Sequence, residues 1–404
     1  MRVVRGPRGR SEPELTLAEP VAAIIEEVRR SGDDAVLDFT ERFDHAELGP
    51  DQLRVDANEL EASVGVLEPD VLAGLRTAIA NVKAVARAQI RDETVTVELP
   101  EGHTVEVVEH PVRRAAVYVP GGRAPYPSTV VMGAVTARVA GVEQVVVCAP
   151  PGPGGRAHPV ILAACVLCQV TEVYRMGGAQ AIAALAYGTK SVRPVDVIVG
   201  PGSLYVQEAK RQVVGRVGID GIAGPSELAV VASAGADPQL IALDLMAQAE
   251  HGPDSPVWCI SPDAALLDAV AAALEGGPGG EARLVKAGNV AEALRFAEEI
   301  APEHLELVGE EAERHADTVR SAGCVFVGRN GATAFGDYVA GSNHVLPTGG
   351  AARFQSALSV ATFRRRMSRV SLPPEAAARL APAGAALARA EGFPVHAESM
   401  ERRA

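Results

Sequence analysis

Residues 172–188 read EVYRMGGAQAIAALAYG. A short run rich in β-formers meets two glycines and passes directly into an alanine-rich segment of helical character. A strand that turns through Gly177-Gly178 into a helix is one half of a βαβ unit. The same grammar recurs on both sides. AAVYV (115–119) leads through PGGRAPYPS to a helix near 129–139, and QVVVC (144–148) leads to one around 160–168. DVIVG (196–200) then leads through PGS to a helix at 204–214. Strand, glycine- or proline-bearing turn and helix, repeated, predict a parallel sheet with crossover helices.

A second series follows downstream. LAVVA (228–232) precedes a helix at 238–249, PVWCI (256–260) one at 263–274, and RLVKA (283–287) one near 291–299, before a last apolar run, CVFVG (324–328). Upstream, Val21, Ile24, Ile25 and Val28 recur at helical spacing, as do Val71, Leu75, Ile79, Val82 and Val85; residues 103–108 alternate like a strand. The expected fold is α/β, with two tandem Rossmann-like domains whose parallel sheets are of an incomplete nucleotide-binding type. Residues 1–113 form a helical and β-ribbon region packing on the core, 114–225 the first α/β domain, 226–358 the second, and 359–404 a tail with a helix near 374–390. Glycine- and proline-rich stretches at 150–155 and 276–280 read as surface loops.

Composition bounds the function. At 404 residues the chain exceeds one ordinary core, and 48% apolar residues suffice to fill two. Fifty-one acidic against 38 basic residues leave a formal charge of −13, which argues against a nucleic-acid groove or an anionic membrane as partner. The basic start, MRVVRGPRGRSEPEL, has no apolar run behind it and does not read as a secretory signal. No apolar stretch is long enough to span a bilayer. Five cysteines make an odd, sparse set that suits a reducing cytoplasm better than a disulfide framework. Cys165 and Cys168 stand in a CxxC spacing, but inside the apolar ILAACVLCQV, and read as helix packing.

In such sheets ligands gather at the carboxyl ends of the strands, so the turns after each β run are the places to inspect. Gly177-Gly178-Ala179-Gln180 and Gly200-Pro201-Gly202-Ser203 both set glycines ahead of a helix N-terminus, where a phosphate could approach. Neither matches G-x-G-x-x-G, and tight turning alone explains them equally well. The polar constellations say more. Gln248 and His251 lie three apart near a helix end, and Glu303 directly precedes His304. Asp337 and His344 stand seven apart in GDYVAGSNHVLPT, and Glu391 and His396 five apart in EGFPVHAES. Taken singly, each pair is an ordinary hydrogen bond or surface feature. Four of the nine histidines in such segments, with an amide and carboxylates, supply the nitrogen and oxygen donors that zinc accepts. Spacing alone leaves a metal site and unrelated polar contacts both open.

At these residues the chain resembles the histidinol dehydrogenase family. YVPGGRAPYPSTV, GGAQAIAALAYGT, GPGSLYVQEAKRQV, GPSEL, QAEHGPDS, APEHLEL, GDYVAGSNHVLPT and LARAEGFPVHAES occur in the family's order across nearly the whole chain. The resemblance implies oxidation of L-histidinol through L-histidinal to L-histidine, with reduction of two NAD, in the last steps of histidine biosynthesis. It implies one zinc ion per subunit, held by Gln248, His251 and Asp337 of one chain and His396 of another, in a homodimer whose tails are exchanged. The ion would anchor the substrate's imidazole and amine. Glu303 and His304 match the acid–base pair. Ser226, His344 and Glu391 match substrate-contacting positions, beside Gln248, His251, His304, Asp337 and His396, with Glu391 pairing with the substrate's ammonium. Tyr118 and Gln180 match NAD contacts, which makes 114–225 the NAD side and 226–358 the zinc and acid–base side. The third NAD contact is commonly Asn, whereas this chain has Ser203. A shorter hydroxyl there implies a water-mediated contact. Two rival readings are a zinc hydrolase, which leaves the glycine turns at 177 and 200 without a role, and a non-catalytic binder, for which Glu303 and His304 have no use.

Overall fold

A computed structural model describes residues 1–6, 20–90, 94–121 and 124–404. Most of the basic N-terminal stretch (7–15) and Gly122-Arg123 of the PGGR turn lie outside the described residues. Among the described residues run fourteen strands. The first eight are β1 (Arg2–Arg5), β2 (Val95–Glu98), β3 (Thr104–Pro111), β4 (Arg114–Tyr118), β5 (Gln144–Ala149), β6 (Glu172–Arg175), β7 (Val197–Val199) and β8 (Gly218–Ile219). The rest are β9 (Leu228–Ala232), β10 (Val257–Ser261), β11 (Glu281–Lys286), β12 (His304–Val308), β13 (Cys324–Val327) and β14 (Arg364–Ser371).

The chain forms two compact units. The first, Met1–Gln89 with Arg113–Phe363, contains both parallel sheets. One has the order β6-β5-β4-β7-β8 and the other β1-β11-β10-β9-β12-β13, every pairing parallel. The α/β expectation therefore holds, and the crossover helices fall where the turns predicted them: Pro159–Leu167, Gly178–Tyr187, Leu204–Val213, Pro238–Ala249, Ala264–Leu274 and Val290–Ile300. The central strands are buried on both faces, which is why they read as unbroken apolar runs such as VVV and LAVVA. The segment after β4 is helical from Pro127 to Ala140, with one π turn at Val131–Val135.

The N-terminal residues add a feature that patterning did not foretell. Arg2–Arg5 pair in parallel with Glu281–Leu284 and extend the second sheet, although the segment is charged and carries only two apolar residues. An edge strand needs backbone pairing more than burial, so no periodicity announces it. The helices Val21–Ser31 and Asp33–Asp44 bury Val21, Ile24, Ile25, Val28, Val36 and Phe39 in the core of the first sheet, among Tyr118, Met176 and Ile182.

The second unit comprises Ile90–Val112 and Arg364–Ala404. Its sheet, β14-β3-β2, is antiparallel, with Arg364–Ser371 laid against Pro111–Thr104. Two helices follow, Pro374–Ala390 and Pro394–Glu401, packed through Ala385, Ala388, Ala397 and Met400.

Candidate functional site

In the first sheet the chain runs outward from β4 through β5 and β6, then returns to β7 on the other side of β4. The crevice between the carboxyl ends of β4 and β7 is thus the switch point at which α/β sheets take ligands. Tyr118 ends β4, and Gly200 follows β7. Gly200 has φ +116°, and a Cβ on it would stand 2.1 Å from the Tyr118 carbonyl oxygen, so only glycine fits this close approach. Tyr118 is buried, and its hydroxyl accepts from the Gly178 N–H at 3.1 Å. Gln180, two residues into the next helix, is fully buried, and neither amide atom has a hydrogen-bond partner among the described residues. Ser203 is the exposed N-cap of Leu204–Val213, and its side chain makes no capping bond.

The turns after the strands of the second sheet are not where its polar residues collect. Ser226 and Glu227 lie just before β9, Glu303 just before β12, and His304 is the first residue of β12. These groups occupy the amino edge of that sheet, not the turns after its strands to which the sequence pointed. The reason lies in how the halves stack. One cleft is lined by Gly200 and Pro201 from the carboxyl edge of the first sheet and by Ser226, Glu303 and His344 from the second half. The Thr129 hydroxyl, on the helix after β4, stands 3.4 Å from His344 Nε2.

Local geometry fixes Glu303 and His304. The helix Val290–Ile300 ends on Ala301, a non-glycine residue at φ +48°, and the chain reverses there into Pro302-Glu303-His304. The Glu227 N–H donates to Glu303 Oε2 at 3.0 Å, and His304 Nδ1 lies 3.2 Å from the Glu227 carbonyl oxygen and 3.7 Å from Glu303 Oε2. Because a carbonyl only accepts, Nδ1 carries the proton and Nε2 keeps its lone pair. Nε2 is 3.7 Å from Asp337 Oδ1. Burial pushes His304 down to about 3, further helped by His251 and His344, although the Glu227 carbonyl opposes it. The imidazole is neutral. Burial likewise raises Glu303 to about 8 against the hydrogen bonds from Ser226 and the Glu227 N–H, with Asp337 adding to the rise. Asp337 is raised by burial to about 6. His344 falls to about 4 through burial, while its Nδ1 lies 2.9 Å from the Asp337 carbonyl oxygen.

Gln248 and His251 stand at the end of Pro238–Ala249, and the charge of His251 is felt at both His304 and His344. Gln248 is 3% exposed, and its Nε2 and Oε1 have no hydrogen-bond partner among the described residues. No group of three or more His, Cys, Asp or Glu side chains able to hold a metal occurs among the described residues. Glu391 and His396 belong to the second unit, where both are exposed; His396 stacks on Phe393 with ring centroids 5.2 Å apart.

Sequence reasoning missed Glu227, whose two backbone groups orient Glu303 and His304, and Thr129. Backbone donors and acceptors leave no mark in residue type. It also missed Lys210, buried in the cleft wall, where Nζ donates to the Gly200 carbonyl at 2.7 Å and pairs with Asp220 at 2.5 Å. A lone lysine on an amphipathic helix reads as solvated surface. The five cysteines are free, and Cys165 and Cys168 are buried, as the packing reading expected. No described helix is long and apolar enough to cross a membrane.

The histidinol dehydrogenase family model matches residues 8–404. A histidinol dehydrogenase of Gluconobacter oxydans is 43% identical over 98% of this chain and 94% of its own length. That of Parasynechococcus marenigrum is 45% identical over 95% and 90%. The crystal structure of histidinol dehydrogenase from Elizabethkingia anophelis superposes with a TM-score of 0.91 at 30% identity, covering 100% of this chain and 98% of that one. On the match over nearly its full length, and on the shared fold, this chain belongs to the histidinol dehydrogenase family.

Proposed function

We propose that the cleft oxidises L-histidinol through L-histidinal to L-histidine with two NAD, and that Glu303 and His304 move the protons. The observation that carries this reading is a buried imidazole whose Nδ1 is tied to the Glu227 carbonyl, leaving Nε2 as acceptor, with the buried Glu303 carboxyl 3.7 Å from Nδ1. An alcohol releases hydride only as its hydroxyl proton leaves, and His304 Nε2, with its free lone pair, is the acceptor for that proton. The second oxidation begins from the hydrated aldehyde, so a water must lose a proton as it adds. Glu303 takes that proton: a carboxylate whose burial raises its pKa toward 8 is a much stronger base than an exposed one. Thr129 and the Asp337 carbonyl fix the His344 ring, which faces the substrate in the same cleft.

When bound, NAD supplies the hydride acceptor and zinc an anchor for the substrate's imidazole and amine. For NAD, the unpartnered Gln180 amide and the Tyr118 hydroxyl at the switch point support a binding role, with Ser203 the third contact. For zinc, the donors fit. A buried amide with both atoms unpaired carries a penalty of about 1–3 kcal/mol, which a ligand would relieve. Gln248, His251 and Asp337 offer oxygen and nitrogen donors of the kind zinc takes. His396 of a second copy is the fourth donor in this proposal, and Glu391 of that copy binds the substrate's ammonium. The exposed Leu387, Phe393 and Val395 beside these residues suit a tail that packs on another chain. The free cysteines suit a cytoplasmic enzyme.

NADH formation tests the reaction: about two NADH per L-histidinol, abolished by chelation and regained with zinc, is expected. Tail exchange is tested by mixing inactive His304→Ala and His396→Ala subunits. Random re-pairing should restore about a quarter of wild-type activity, because half the dimers then hold one intact site of two. Absence of any restored activity would sink the exchange.

A further inference from the structure

Behind the residues assigned above lies a second polar layer that the reaction does not use. Its centre is Glu306, two residues beyond His304 on β12 and therefore on the same face of the sheet. Its carboxyl is buried, and Oε1 accepts both the Thr333 backbone N–H at 2.8 Å and the Thr333 hydroxyl at 2.7 Å. On its other side Glu306 lines one small cavity with Asp244, and its Oε2 has no hydrogen-bond partner among the described residues. Burial and the neighbouring Asp244 charge push the Glu306 carboxyl up.

The partners are placed in a regular way. Asp244 lies on Pro238–Ala249 one helical turn before Gln248, and Thr333 opens the helix Thr333–Tyr338 one turn before Asp337. Four helical residues advance about 6 Å and two strand residues about 6.6 Å, so Asp244, Thr333 and Glu306 form a layer parallel to Gln248, Asp337 and His304. The short helix is also seated by shape: a Cβ on Gly336 would lie 2.5 Å from Phe326, whose ring packs 5.9 Å from that of His304. A six-residue helix has little stability of its own and takes its position from such contacts.

We infer that Glu306, bound to Thr333 and set beside Asp244, is a positioning residue that holds the helix ends bearing Gln248, His251 and Asp337 at the separation the metal requires. The inference rests on the reading of those three residues as zinc ligands. Outer-shell groups that orient ligands typically account for about 10–100-fold in metal affinity, and Glu306 does so through two helices at once.

The test is zinc affinity, measured by competition with a chromophoric chelator on the full chain, together with melting of the metal-free protein and kcat and KM for L-histidinol. Glu306→Ala should weaken zinc binding by about tenfold or more. Glu306→Gln should restore it to near wild type, since an amide can accept from Thr333 and donate to Asp244. Thr333→Val, which keeps the backbone bond and the side-chain shape, should weaken zinc by about fivefold, the equivalent of one hydrogen bond, and covers the case in which Glu306→Ala does not fold. Zinc affinity unchanged in Glu306→Ala or Thr333→Val, with only the melting temperature lowered, would reduce the cluster to a structural role and overturn the inference alone. Wild-type protein that takes up no zinc would overturn the ligand assignment, and the inference with it.

Discussion

Gln248→Met separates what the site does for folding from what it does for function. The wild-type amide is 3% exposed, with both polar atoms unpartnered among the described residues. Leaving such a group unsatisfied costs about 1–3 kcal/mol. Methionine has a similar length and adapts its shape, so the swap removes the penalty without opening a cavity. Metal-free Gln248→Met should therefore be about 1–3 kcal/mol more stable than metal-free wild type. With about 2.1 cal/mol/K per residue over the 404-residue chain, the unfolding entropy is near 0.85 kcal/mol/K, and the gain corresponds to roughly 1–3.5 °C. Scanning calorimetry in excess chelator reads the shift, and a zinc titration on the same samples should show affinity largely lost. A metal-free variant that melts at or below wild type would mean the amide is already satisfied in the folded protein. The argument that it awaits a ligand would then be refuted, whatever the zinc titration showed.

Further outcomes follow from other parts of the structure. His304→Gln should retain zinc and fold while kcat falls by about 10²–10⁴-fold; turnover within tenfold of wild type would remove His304 as the base. Ser203→Asn, at an exposed N-cap whose side chain makes no capping bond, should lower KM for NAD several-fold with kcat unchanged, and an unaltered KM would detach Ser203 from the cofactor. Away from the site, Arg114 clasps Glu172 through bonds of 2.9 and 2.6 Å. Burial works against the Glu172 charge, but Arg114, Tyr174 and Arg193 outweigh it and hold the carboxyl at about 2. Because the folded pKa is depressed, the pair stabilises the fold at pH above about 4.5, and that contribution fades as pH falls toward 2. Glu172→Gln should lose about 3 kcal/mol at pH 7 and much less near pH 3. An equal loss at both pH values, measured by denaturant melts, would show that packing, not charge, holds the pair.

The parts of this protein that sequence patterning reached are those governed by short-range rules. Strand, turn and helix were legible from 114 onward because strands buried on both faces must be continuously apolar and each crossover needs a glycine or proline turn. The motifs GPSEL, QAEHGPDS, APEHLEL and GDYVAGSNHVLPT named the side chains, since reactive groups depend on residue type. What periodicity could not reach depends on chain segments far apart. The charged Arg2–Arg5 joins β11 across some 280 residues, and β14 pairs with β3 across about 260, through backbone bonds that any sequence can make. The side of the second sheet on which Ser226, Glu303 and His304 gather was also beyond it: each sheet has two edges, and only the stacking of one half on the other sets the amino ends of β9 and β12 against the carboxyl ends of β4 and β7. The neutral state of His304 and the raised pKa of Glu303 belong to the same class, because burial and the two backbone groups of Glu227, not the residues Glu-His themselves, produce them. Residue type alone thus determined which chemistry was available, and tertiary packing decided where it is assembled and in which protonation state, because desolvation and hydrogen-bond geometry exist only once distant segments meet.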